Sequence, residues 1–195
     1  MYTQALEFAK LAHHGQKRLS GEPFVNHPIA VAKTLQAWQL DETTIMAGLL
    51  HDTVEDGGAT REDLVKEFGE ETARLVDGVT KITQIRLTGQ TDQAFVENLR
   101  KMILVMASDL RVVFVKLADR LHNMQTLKYL SPQKKKENAK ETLEVYAPLA
   151  ERLGMGEIKG QLEDLSFPFL YPQEQAKLQK DSHNLYRSAE KYIQD

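Results

Sequence analysis

The run RVVFVKLADRLHNMQTL constrains this chain more than any other stretch. Val112, Val113, Phe114 and Val115 on their own have the composition of a buried strand. Leu110, Val113, Leu117, Leu121 and Met124 nevertheless step by 3, 4, 4 and 3, which is one face of a helix and no face of a strand. The β-branched residues oppose that helix by only about tenths of a kcal/mol each. Helix is therefore the expected state.

The same spacing, punctuated by caps and breakers, recurs along the chain. Leu6, Ala9, Lys10 and His13 share one helical face, and Gly15 closes the segment. A polar loop, QKRLSGEPFVN, leads to His27-Pro28, where Pro28 suits a first helical position and Asn26 or His27 lies near the cap of IAVAKTLQAW. The next helix is expected to start at Asp41 and to carry Ile45, Leu49, Leu50 and the whole of LLHDTVED before ending at Gly57-Gly58. Thr60 and Asp63 form a capping-box pattern for a short helix that stops at Gly69, with EETARLVDGVTKIT continuing beyond it. RLTGQTDQ is expected to be an exposed loop before the helix of QAFVENLRKMILVMAS. Ser131-Pro132 opens a long helix reaching Leu153 with a kink at Pro148, and one or two short helices follow, separated by Pro168 and Pro172. Trp38 is assigned to the core. The expectation is an all-α fold that admits short hairpins in its loops, with a main domain over 1–153 and a helical extension over 154–195 packing on it.

Composition narrows the functional classes. The 25 Lys and Arg against 28 Asp and Glu leave a net charge of −3, so no global basic field recruits nucleic acid or a membrane surface. A small anion needs only a local basic patch and stays open. Cysteine is absent, which excludes disulfides, thiolate metal sites and a cysteine nucleophile. No apolar run approaches the ~18 residues of a membrane span, and MYTQALEFAKLAHHG lacks a signal-peptide core, so a cytoplasmic protein is expected. No sequence feature sets an oligomeric state.

Within LLHDTVED a histidine and three carboxylates follow two leucines. On a helix, His51 with Glu55 and Asp52 with Asp56 would line two adjacent strips of one surface. Burying that much charge is costly unless a cation compensates it. His51 and Asp52 are the natural ligands, leaving Glu55 and Asp56 to handle protons or water. Asp119 and His27 complete a mixed nitrogen and oxygen set, suited to manganese, iron or another octahedral-tolerant ion better than to a tetrahedral zinc. Each element also has a plainer reading. LLHDTVED could be an exposed acidic helix end, His27 a cap or core histidine, and Asp119 a partner of Lys116 or Arg120. His13, His14, His122 and His183 receive no metal role.

The blocks HHGQKRLSGEPFVNHP, AGLLHDTVED, FGEETARLVDGVTKIT and FVKLADRLHNMQTL, in this order, resemble the hydrolase domain of the RelA/SpoT homologues, a branch of the HD metal-dependent phosphohydrolases. The resemblance spans roughly residues 1 to 170 and includes APLAERLGMGEIKGQLEDLSFPFL. It implies an HD-domain helical bundle that removes the 3′-diphosphate of guanosine tetraphosphate or pentaphosphate as pyrophosphate, returning GDP or GTP. By the same resemblance the ligands are His27, His51, Asp52 and Asp119, the ion is Mn2+, and Glu55 and Asp56 orient or deprotonate the attacking water. It also implies that Arg18 packs on the guanine, that Asn123 contacts the nucleotide, and that Ser20 and Thr126 lie near the nucleoside. Gly57-Gly58 departs from the family, which commonly has a threonine after the acidic pair. Nothing in the chain matches the synthetase and regulatory domains of long members, which leaves a stand-alone enzyme and a domain of a longer protein both open. The alternatives are another HD-type nucleotide phosphohydrolase and a non-catalytic nucleotide-sensing domain.

Overall fold

A computed structural model of the chain describes residues 1–85 and 92–182. Among these residues the regular structure is helical, and the one extended pairing is an isolated antiparallel bridge between Lys17 and Pro23. The fold is all-α, and no described helix is long and apolar enough to cross a membrane. Two compact units divide at Leu130 and Ser131.

The first unit contains α1 (Tyr2–Ala12), α2 (Asn26–Ala37), α3 (Glu42–Leu50), α4 (Arg61–Thr83), α5 (Asp92–Ser108) and α6 (Leu110–Gln125). Its organising element is α3. Asp41 caps it by accepting from the Thr44 N–H and hydroxyl at 3.0 and 2.6 Å. Thr44, Met46, Ala47, Gly48, Leu49 and Leu50 are all buried, so this helix has no long solvent stripe and packs against α1, α2, α4 and α6. Gly48 permits the approach to α2, because a Cβ there would lie 2.4 Å from Leu35 Cδ1.

The α3 helix ends at Leu50, earlier than expected, and residues 51–56 form successive turns. The cause is local. The Thr53 N–H and hydroxyl both donate to the Leu50 carbonyl, at 3.0 and 2.7 Å, and that side-chain bond competes with helical propagation. One helix-like bond survives, from the Asp56 N–H to the Asp52 carbonyl. The acidic residues therefore stand on a folded-back loop and not on two strips of a helix. Gly57 closes this loop tightly against α1, where a Cβ would meet the Thr53 carbonyl oxygen at 2.7 Å and Ala12 Cβ at 2.9 Å.

Elsewhere the expectations hold in outline and differ in detail. The capping box of Thr60 and Asp63 starts α4, and Gly69, non-helical at φ 85° and ψ 164°, ends its first segment as expected, so that α4 is two helices joined across a kink. The run RVVFVKLADRLHNMQ is helical as α6, capped by Asp109, with Val113, Leu117, Leu121 and Met124 buried; Leu110, at its first position, is exposed. Pro28 is the third residue of α2, where a missing N–H still costs nothing. Trp38 is half-buried at the end of α2 and not in the core. Most of the RLTGQTDQ loop lies outside the described residues.

In the second unit, α7 (Pro132–Glu141), a π-helical turn (Thr142–Tyr146), α8 (Ala147–Arg152) and α9 (Gly156–Leu170) follow a Ser131 cap. The expected long helix is interrupted just before Pro148, where the Ala147 N–H donates to the Thr142 carbonyl. That wider turn accommodates the proline ring, which would otherwise clash with a carbonyl one turn back. Pro168 does not separate two helices; it sits inside α9.

Asp41 and Asp109 each cap a helix, and hydrogen bonds with nearby arginine charge hold both carboxyls below the usual aspartate value despite some burial. Asp109 also pairs with Arg111 at 2.8 Å. Replacing Asp109 by Ala should cost about 1 kcal/mol at pH 7, read as a lower urea midpoint. A depressed carboxyl stabilises above its unfolded pKa of about 3.9 and loses that contribution as pH falls through the folded value. The wild-type and Asp109→Ala midpoints should thus converge below about pH 4, and a gap that persists to pH 2 would contradict the role given to the ionised cap.

Candidate metal centre

Three helices of the first unit bring one small group of side chains together. His27 lies in the first turn of α2, His51 is the residue that follows α3 with Asp52 after it, and Asp119 is in the middle of α6. The packing of α2 on α3 and of both on α6 closes the group. Ligand-type atoms of His27, His51 and Asp119, all buried, lie within 4.8 Å of one another. His27 Nε2 is 3.2 Å from Asp119 Oδ1 and 3.6 Å from Asp52 Oδ2. His51 Nε2 is 3.1 Å from Asp52 Oδ1 and 4.0 Å from Asp119 Oδ1.

Hydrogen-bond direction determines what these nitrogens can do. His51 Nδ1 lies 2.8 Å from the Gly48 carbonyl, which can only accept, so Nδ1 carries the proton and Nε2 presents its lone pair. That Nε2 is buried and has no hydrogen-bond partner among the described residues. His27 Nδ1 lies 2.7 Å from His122 Nδ1, and Arg18 Nη1 lies 3.2 Å from the same His122 atom. Arginine only donates, so His122 Nδ1 is an acceptor and the His27 Nδ1 must donate to it. A further proton on His27 Nε2 would make an imidazolium, and burial pushes its pKa below the ordinary histidine value, although Asp119 opposes the shift. Two imidazole lone pairs and two carboxylates thus converge with no proton between them. A divalent cation fits this donor set.

Asp119 is held ready for the role. Burial opposes its ionisation, but the Lys116 charge overcomes that and holds it well below the usual carboxylate range. Lys116 Nζ donates to Asp119 Oδ2 at 2.6 Å and to Thr83 Oγ1 at 3.0 Å, while Asn123 donates to Oδ1. The pairing of Asp119 with Lys116, weighed as an alternative to a metal role, coexists with the cluster.

Glu55 and Asp56 stand on the exposed loop beside these residues. Desolvation, then the Asp52 charge, raises the Glu55 pKa, with Lys116 opposing and Asp56 adding to the rise. The Asp56 carbonyl accepts from Gln16 Nε2 at 2.6 Å, and Gln16 Oε1 accepts from His13 Nδ1 at 2.8 Å. Arg18 lies on the small hairpin made by its N–H bond to the Glu22 carbonyl, and its Nη2 donates to Asn123 Oδ1 at 2.7 Å. Ser20 is at the tip of that hairpin. The Thr126 hydroxyl donates to the His122 carbonyl at 3.0 Å at the end of α6. Arg18 and Asn123 therefore meet beside the cluster, whereas the bonds of Ser20 and Thr126 are local. His122 and Lys116 were given no part in the site from sequence; their spacing of three residues on either side of Asp119 in one helix was the available signal.

Comparison with known proteins finds relatives of the whole first unit. A 50% identical relative, the GTP pyrophosphokinase of Myxococcus xanthus, aligns over 98% of this chain and 26% of its own length. The guanosine-3′,5′-bis(diphosphate) 3′-pyrophosphohydrolase of Haemophilus influenzae is 51% identical over 88% of this chain and 25% of its own. The chain thus spans about a quarter of the length of these curated relatives. Among solved structures, one described as a metazoan ortholog of SpoT that hydrolyzes ppGpp superposes with a TM-score of 0.59 at 27% identity, covering 84% of this chain and 92% of that one. The HD domain family model matches residues 5–156, and the chain belongs to the HD domain family.

Proposed function

We propose that this chain is a Mn2+-dependent guanosine-3′,5′-bis(diphosphate) 3′-pyrophosphohydrolase that also accepts the pentaphosphate. In this reading residues 1–153 form the catalytic domain, 154–195 are its extension, and the protein acts in the cytoplasm. The observation that carries the reading is the buried convergence of the His27 and His51 lone pairs on Asp52 and Asp119. The substrate class rests on the names of the relatives and of the structural neighbour, one of which is a 3′-pyrophosphohydrolase and another a ppGpp hydrolase.

A divalent cation held by His27, His51, Asp52 and Asp119 would supply Lewis-acid charge, acidifying water and offsetting negative charge on a phosphoryl oxygen. The side chains then divide the remaining work. The water oxygen bonds to the phosphorus attached to the 3′ oxygen, that phosphorus–oxygen bond breaks, and pyrophosphate departs from GDP. Glu55 accepts the water proton, a task for which its raised proton affinity suits it, and Asp56 orients the water beside it. The 3′ oxygen leaves as a hydroxyl by taking up a proton, and the proton held by Glu55 returns to solvent, which closes the balance. Phosphoryl transfer depends mainly on positioning and charge, so no side-chain nucleophile is required. Arg18, planar and permanently charged, stacks on the guanine, and Asn123, Ser20 and Thr126 line the nucleoside.

Incubation with Mn2+ and guanosine tetraphosphate should yield GDP and pyrophosphate in equal amounts, and chelation should stop it. Inorganic phosphate from ordinary nucleotides would point to a different HD-type phosphohydrolase. Tight binding without turnover under any divalent metal would mean a sensing domain.

Replacing Asp119 by Ala should abolish both Mn2+-induced thermal stabilisation and turnover. Glu55→Gln should keep the stabilisation and lose about 10²-fold or more in kcat, as general-base removal does. Equal metal loss in the two variants contradicts the division of roles. Because Glu55 must be ionised to act and its carboxyl is raised, turnover should fall on the acid side at a pH above the usual glutamate value. That limb should disappear from the residual activity of Glu55→Gln.

A further inference from the structure

His122 belongs to none of the roles assigned so far, yet it joins two of them through a single atom. Its Nδ1 lies 2.7 Å from His27 Nδ1 and 3.2 Å from Arg18 Nη1. The residue follows Asp119 by three positions on α6, so the helix that supplies the carboxylate also supplies the acceptor for the facing imidazole. Its ring is tilted 41° to that of His27, with centroids 4.9 Å apart, so the short contact is nitrogen to nitrogen and not a ring stack. The Thr126 hydroxyl donates to the His122 carbonyl at 3.0 Å at the same point of the helix.

We propose that His122 is a positioning residue that fixes the His27 tautomer and, through competition between His27 and Arg18 for its one Nδ1 lone pair, couples cation affinity to the position of the Arg18 guanidinium. The coupling to nucleotide rests on the reading of Arg18 as the base-stacking residue; the effect on the cation does not. An imidazole nitrogen has one in-plane lone pair, and here two donors share it unequally, the shorter bond belonging to His27. A partner accepting from the second nitrogen of a metal-binding histidine orients the ring and raises its basicity. Withdrawal of Arg18 gives the whole lone pair to His27 and strengthens Nε2 as a ligand. A cation on Nε2 conversely makes the Nδ1–H a stronger donor, which displaces Arg18 and frees it for a purine. Linkage makes the two effects equal, so cation and nucleotide each tighten the other.

The test is calorimetric titration of the whole chain with Mn2+ alone, without nucleotide, so that failure of the substrate assignment leaves it intact. His122→Ala should weaken Mn2+ binding about 10–100-fold, the usual scale for losing such a partner. His122→Asn, whose side-chain oxygen occupies a place close to Nδ1, should restore most of the affinity. In the apo protein, 15N shifts should show His27 protonated at Nδ1 in the wild type and in His122→Asn, and a mixture of tautomers in His122→Ala. Arg18→Ala should tighten Mn2+ binding both by removing a positive charge and by ending the competition. The second contribution should shrink in the His122→Asn background, because an amide oxygen has two lone pairs. The Arg18 effect should therefore be smaller there than in the wild type, by a ratio the double-mutant cycle reads. Wild-type Mn2+ affinity in His122→Ala overturns the positioning role, and so does failure of His122→Asn to recover it. An identical Arg18 effect in both backgrounds overturns the competition. If His122→Ala does not fold by circular dichroism, His122→Asn and its cycle decide alone.

Discussion

Lone pairs of His27 and His51 facing the carboxylates of Asp52 and Asp119 inside a buried space are the constraint on which the rest of the first unit depends. Like-signed acceptor atoms repel, and burial removes the water that would screen them. In the proposed reading a divalent cation would supply the missing attraction, and the protein's task is to hold the groups together without it. It does so with hydrogen bonds directed away from the centre. Gly48 takes the His51 proton, His122 takes the His27 proton, and Lys116 neutralises the far oxygen of Asp119. His51, His27 and Asp119 are thus anchored at their rear.

The helices are arranged to make that anchoring possible. Because α3 is buried on nearly every side, its C-terminal end projects into the interior and not into solvent, and His51 is delivered there with its own carbonyl partner one turn back. The tight approach of α2 at Gly48 brings His27 alongside, with the imidazole centroids 5.2 Å apart. Lys116, Asp119, His122 and Asn123 all come from one stretch of α6, so one helix contributes a ligand and three of the groups that orient ligands. A shift of α6 would disturb them together.

The sequence made the helical class legible because amphipathic spacing survives even a strand-like composition, as Val113, Leu117, Leu121 and Met124 show. The proposed site residues were legible where they were clustered, as at 51–56, or where a family resemblance marked them, as for His27 and Asp119. Two things were hidden. Hydrogen-bond direction across helices has no periodicity to betray it, so the spacing of His122 from Asp119 was the one signal and did not by itself assign it a role. The end of α3 was also hidden, because Thr53 can extend a helix or cap it back onto Leu50, and its place in the sequence does not distinguish the two. The proline at 168 misled for the related reason that flanking contacts outweigh a local breaker.

That early helix end has a functional logic. Had LLHDTVED remained helical, Glu55 and Asp56 would have been fixed to the same rigid rod as the ligands His51 and Asp52. Placed on turns instead, the two acids occupy the exposed margin while His51 is buried and Asp52 half-buried, and the electrostatics follow that gradient. Asp119, bonded to Lys116, is held ionised; Glu55, partly desolvated beside the Asp52 charge and with Lys116 opposing the shift, gains affinity for a proton. One carboxylate is thereby committed to charge and another is prepared to exchange it. Lys116 bonds Asp119 directly, and in the proposed reading that contact separates a ligand from a base.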